Sequence, residues 1–67
     1  VTKDGYTAVE NAGYEGECDC RAFDTYAEAI DHCDRVYTTD ELDIMSRDYL
    51  HVDIRLDRAD GTSSYEL

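Results

Sequence analysis

Long apolar runs are missing from this 67-residue chain: no stretch of strictly apolar residues exceeds two, as in Ala8-Val9 or Val36-Tyr37. That excludes a membrane-spanning helix and the apolar stretch of a signal peptide within the sequence. Basic clusters are missing too, because Lys3, Arg21, Arg35, Arg47, Arg55 and Arg58 stand singly among acids. Direct binding to nucleic acid or to anionic lipid is therefore disfavoured, and neither is expected as a partner. Cysteine is scarce and odd in number, at Cys18, Cys20 and Cys33. Such a count lacks the even framework of a secreted disulfide scaffold and suits a reducing, cytoplasmic compartment, with the thiols free. A single bridge from Cys33 to Cys18 or Cys20 is the alternative, and it would leave one thiol over.

What the chain has in excess is negative charge. Eleven Asp and six Glu against one Lys and five Arg give a formal net charge of -11. A small domain ordinarily carries a charge of magnitude about 2 to 8, and a larger excess works against compaction by self-repulsion. The excess points to a basic partner. Its plainer readings are a solvated surface, a haloadapted acidic domain or a bias in genome composition. Composition still supports folding, since 42% of residues are apolar and six are Tyr. A chain of this length makes one domain, residues 1–67, and buries only about 60% of its unfolded surface. That leaves little room for a closed active-site cavity, so large or flat partners suit it better.

Periodicity then orders the elements. Tyr6 to Glu10 reads as a strand, and the Asn11-Ala12-Gly13-Tyr14-Glu15-Gly16 loop leads into a second strand, Cys18 to Phe23. Thr25-Tyr26-Ala27-Glu28 has the form of a capping box, which predicts a helix. Its stripe of Tyr26, Ala29, Ile30, Cys33 and Tyr37 recurs at spacings of three and four. A short helical turn over residues 40–45, with Leu42 and Met45 facing inward, is expected next. From Tyr49 to Asp57, Leu50, Val52, Ile54 and Leu56 alternate with polar residues, which predicts a half-buried strand. Asp60-Gly61 suits a two-residue hairpin turn that sets Leu56 opposite Tyr65, Ile54 opposite Leu67, Arg55 opposite Glu66 and Asp57 opposite Ser64. The expected fold is α+β, a mostly antiparallel sheet in the order β-β-α-β-β with one helix on one face and an extra short helix. Leu50, Val52, Ile54, Leu56, Ile30 and Phe23 are its expected core.

No catalytic or cofactor signature accompanies this pattern, and no cofactor is expected. Cys18, Cys20, His32 and Cys33 are zinc-type ligands, but only one residue separates the first pair, and adjacent residues on a helix diverge by about 100°. Asp53, Asp57, Asp60 and Gly61 lack the spacing of a calcium loop. A thiol nucleophile beside His32 or His51 would need convergence that nothing in the pattern supports, and acidic surroundings raise a thiol pKa. The acids themselves remain the best candidates. Alternate strand residues lie about 6.6 Å apart, so Asp53 and Asp57 on one exposed strand would span roughly 13 Å. Glu28, Asp31 and Asp34 on the helix form a second row, and Asp40, Glu41 and Asp43 extend the acidic surface. A carboxylate can stand in for a phosphate because arginine binds either group with the same fork. Tyr14 and Tyr49 are candidate aromatic anchors; Tyr65, paired with Leu56, is read as core.

In size, in its charge of -11, in its compact α+β order and in its tyrosines, the chain resembles the small acidic inhibitors encoded by bacteriophages and mobile elements, anti-CRISPR proteins and other DNA mimics in particular. The resemblance implies a non-enzymatic protein of a bacterial host's cytoplasm that sits on the basic surface of a type I interference complex and excludes target DNA. A small metal- or thiol-dependent regulatory module is the alternative from another class.

Overall fold

Four strands, β1 (Gly5–Glu10), β2 (Cys18–Phe23), β3 (Asp53–Asp57) and β4 (Ser63–Tyr65), form one antiparallel sheet in the order β2-β1-β3-β4 in a computed structural model that describes residues 3–67. Two local hairpins, β1-β2 and β3-β4, are thus joined edge to edge through β1 and β3. Helix α1 (Tyr26–Val36) packs on β1 and β2, and a short helix α2 (Arg47–Leu50) precedes β3. This is the expected α+β architecture, with β1 and β3 as its central pair.

Helix α1 starts where the capping box predicts. Thr25 is extended, and its hydroxyl accepts from the Glu28 amide at 3.2 Å. In a capping box the Glu28 carboxylate would accept from the Thr25 amide; here it accepts from the Thr25 hydroxyl instead. At the other end Tyr37 leaves the helix in extended geometry, and its hydroxyl donates to Glu10 at 2.5 Å, tying the helix end to the last residue of β1.

Small side chains set the helix close to the sheet. Ala8 on β1 and Ala29 and Cys33 on α1 are fully buried, and with Ile54, Val52 and Tyr37 they form the core. Tyr6, Phe23, Ile30 and Leu50 pack against it partly exposed, whereas Leu56 is half-buried outside that cluster. Val9 alternates with Ala8 and is fully buried on the opposite face, between Asp19 and Asp53 in the ladder. Both faces of the sheet centre are therefore withdrawn from water.

Three expectations are corrected. Residues 40–45 form turns, not a helix. The Asp40 carboxylate accepts from the Leu42 amide at 2.9 Å and Asp43 from the Met45 amide at 2.8 Å. Such side-chain bonds to the second amide onward compete with helical pairing. Leu42 is consequently 94% exposed and Met45 42% exposed, neither facing inward.

The strand expected from Tyr49 is also shorter. Arg47–Leu50 is helical, capped by Ser46, and His51 ends it in the left-handed region at φ 49°. The Val52 amide donates to the Arg47 carbonyl at 3.0 Å and the His51 amide to the Asp48 carbonyl at 3.4 Å, the paired bonds of a Schellman stop. Tyr49 and His51 are therefore not on a strand.

The β3-β4 register is one residue away from the expected one. Arg55 lies opposite Tyr65, Leu56 opposite Ser64 and Asp57 opposite Ser63. Arg58 and Thr62 close a three-residue loop: the Arg58 amide donates to the Thr62 carbonyl at 2.8 Å and the Gly61 amide to the Arg58 carbonyl at 3.0 Å. Gly61 supplies the positive φ of 91° that such a loop requires. A one-residue slip exchanges the faces, so Tyr65 is exposed and not core.

Candidate interaction surface

The carboxylates divide by what holds them. On the sheet face opposite α1, the Arg55 guanidinium reaches across β1. It donates to both Asp19 oxygens at 3.0 and 2.9 Å and, on its own strand, to Asp57 from Nε at 2.8 Å. Thr7, beneath it on β1, adds a bond from its hydroxyl to Asp57 at 3.1 Å. Arg55 holds the Asp57 carboxyl below its ordinary pKa, with Thr7 helping against a smaller opposing effect of burial. The bonds to Asp19, and then to Asp57, push the Arg55 pKa upward. Asp53 is likewise engaged, accepting from the Ile54 amide at 2.7 Å and the Leu67 amide at 3.0 Å. Asp53 and Asp57 are both half-buried and bonded within the fold.

The helix row is more exposed. Glu28, Asp31 and Asp34 are exposed on α1. Asp31 pairs with Arg35 at 2.7 Å in an exposed i,i+4 contact, of the kind that contributes about 0.3 to 0.5 kcal/mol and exchanges readily. Asp34 pairs with Arg47, whose side chain is largely buried, so this carboxylate also ties α1 to α2. Asp40, Glu41 and Asp43 are exposed in the loop between the two helices. Five carboxylates, Asp19, Asp24, Asp31, Asp34 and Asp57, have Lys or Arg partners; the other twelve of the seventeen have none among the described residues.

Both aromatic candidates lie toward one end of the sheet. The loop after β1 is bonded to the residues before β3, the Asn11 amide to the Leu50 carbonyl at 2.7 Å and the Ala12 amide to the His51 carbonyl at 3.1 Å. That juxtaposition stacks Tyr14 on His51, with ring centroids 4.2 Å apart, and Tyr49 lies two residues away in α2. Tyr14 is 59% and Tyr49 62% exposed. Tyr65 is exposed on the other face, where its hydroxyl donates to Glu17 at 3.0 Å. That bond pushes the phenol pKa up.

The thiols do not converge. Cys18 and Cys20 are exposed on β2 and Cys33 is buried on the inner face of α1, all three unbridged. Burial pushes the Cys33 thiol up; Cys20 is exposed as a residue, but partial desolvation of its sulfur, with nearby Glu10, pushes its thiol up against the bond from the Tyr37 hydroxyl. Among the described residues no three His, Cys, Asp or Glu side chains come together as a metal site would require. No helix among them is long and apolar enough to cross a membrane.

Two features escaped the sequence reading. The Asp19-Arg55-Asp57 clamp joins residues 36 and 2 positions apart, and only strand order brings the first pair together. The outward set of Leu42 and Ile44 had a signal, two Asp residues each able to cap the second amide onward, but the same spacing also suits a helical turn. No protein-family model, curated protein or solved structure matches this chain.

Proposed function

We propose that this protein is a non-enzymatic acidic inhibitor that mimics DNA and blocks the basic DNA-binding surface of a nucleic-acid-binding complex, of the anti-CRISPR kind, in the cytoplasm of a bacterial host. The observation that carries this reading is the set of twelve carboxylates without a cationic partner among the described residues, in a chain with one lysine. Such a surface attracts arginine and lysine side chains at long range and repels nucleic acid and anionic lipid.

Along α1, Glu28, Asp31 and Asp34 follow at three-residue steps that each rise about 4.5 Å, which makes them neighbours in one exposed acidic row. The Asp31–Arg35 pair is exposed and weak enough for a partner's arginine to replace Arg35. The binding surface in this reading runs from Glu28, Asp31 and Asp34 to Asp40, Glu41 and Asp43. Asp57 contributes to the negative field but is held by Arg55, and Asp53, bonded like Asp40 and Asp43 to backbone amides alone, differs from them in being half-buried.

The test is a competition. A purified type I interference complex with labelled target DNA is titrated with the protein at several salt concentrations. Displacement of DNA that weakens steeply with salt supports the reading, because exposed charges are screened over about 8 Å at physiological ionic strength. A ternary complex in which DNA and protein are bound together rules out mimicry at that site. Unchanged DNA binding at low salt removes this class of partner.

A further inference from the structure

Four large apolar side chains within eight residues stand in water: Leu42 at 94% exposure, Ile44 at 70%, Tyr49 at 62% and Met45 at 42%. Single exposed apolar residues are ordinary, but several neighbouring in one segment mark a surface that another molecule covers. The segment is held in shape by its own bonds. At its neck the Thr38 amide donates to the Met45 carbonyl at 3.2 Å and the Arg47 amide to the Thr38 carbonyl at 3.1 Å, around a fully buried Ser46. Within it, Asp40 and Asp43 cap the amides of Leu42 and Met45. A loop ordered before contact loses less conformational entropy on docking than a loose one.

The charge around the loop selects its occupant. Asp40, Glu41 and Asp43 flank Leu42 and Ile44 in the chain, and none has a cationic partner among the described residues. Asp40 and Asp43 each bond to the loop through one oxygen, Oδ1, and can offer the other outward. A second copy of a chain with net charge -11 would bring like charges together, as would an anionic lipid surface. We infer that the 39–45 loop docks into an apolar cleft bordered by arginine or lysine side chains on a partner protein. This rests on the basic-partner reading above and adds to it where affinity beyond charge attraction comes from. Leu42 and Ile44 enter the cleft, and Asp40, Glu41 and Asp43 meet its basic rim.

Two synthetic peptides of equal length and charge separate the contributions: arginines spaced by Gly and Ser, and arginines spaced by Leu to give one apolar face. Affinity is read by calorimetry and the contact site by backbone amide shifts, at low and physiological salt. The Leu-containing peptide should bind at least tenfold more tightly, with shifts centred on residues 39–45. Leu42→Ser with Ile44→Ser should abolish that difference and leave binding of the Gly/Ser peptide unchanged, with the circular dichroism spectrum preserved. Equal affinity for the two peptides, or a double variant that keeps the difference, overturns the docking inference while the acidic-surface reading stands. A concentration-dependent dimer in sedimentation that the double variant loses also overturns it, because a second copy then covers the loop. If neither peptide binds at low salt, both readings fall.

Discussion

Asp53 and Asp57 on the sheet and Asp40, Glu41 and Asp43 in the interhelical loop carry the same formal charge but are used differently. The sheet carboxylates are half-buried and bonded to Arg55, Thr7 and backbone amides. The loop carboxylates are exposed and without cationic partners among the described residues, beside apolar side chains that the fold leaves uncovered. Counting acids therefore overstates what a partner can reach, and the difference lies in neighbours rather than in residue type. Where three strands lie side by side, an arginine on one can hold carboxylates on its own and the far strand. A loop closed only by its own amides offers its acids no such cation.

The largest expected effect lies at the frame. Ile54→Ala removes the largest fully buried side chain and should cost about 2 to 5 kcal/mol in chemical denaturation. A loss below half a unit would place Ile54 outside the core and undo the frame against which the loop is compared. Next, Arg55→Ala should cost about 1 to 3 kcal/mol, because it leaves Asp19 and Asp57 without their charge-assisted bonds. If Arg55→Ala is as stable as the parent, the sheet acids are no more engaged than the loop acids and the contrast disappears.

Acid sharpens it further. Arg55 holds Asp57 below its ordinary pKa of 3.8, so its contribution is complete above that value and is lost as pH falls through its lower folded pKa. Stability measured below about pH 4 should thus lose a component that Asp57→Asn lacks from the outset. The smallest effect is expected from Asp40→Asn, Glu41→Gln and Asp43→Asn together. Asn retains the oxygen that caps each turn, so stability should stay within about 0.5 kcal/mol while binding to an arginine-rich peptide weakens and its salt dependence flattens. Unchanged binding would show that these three acids do not meet the partner.

Much of the frame was legible because its signals are local. Thr25 and Glu28 mark the start of α1, and the alternation around Ile54 marks β3. Leu50 belongs to the same alternating run, yet Ser46 and the left-handed turn at His51 place it in a helix. Alternation over four more residues cannot outweigh a capped turn whose ends find partners. The hairpin register differs from the expected one for a similar reason. Asp60-Gly61 suits both a two-residue and a three-residue loop, and the choice rests on bonds between Arg58 and Thr62.

The candidate surface was legible only as an inventory. Glu28, Asp31, Asp34, Asp40, Glu41 and Asp43 are exposed, and nothing in the sequence distinguished them from Asp53 and Asp57. Charge, element order and the apolar stripe of α1 follow from composition and periodicity, which depend on neighbours a few residues apart. The Arg55 clamp, the buried Val9 and the outward set of Leu42 and Ile44 depend on the order β2-β1-β3-β4 and on where each turn's amides find acceptors. Those are long-range and competing hydrogen bonds, resolved only when the whole chain packs.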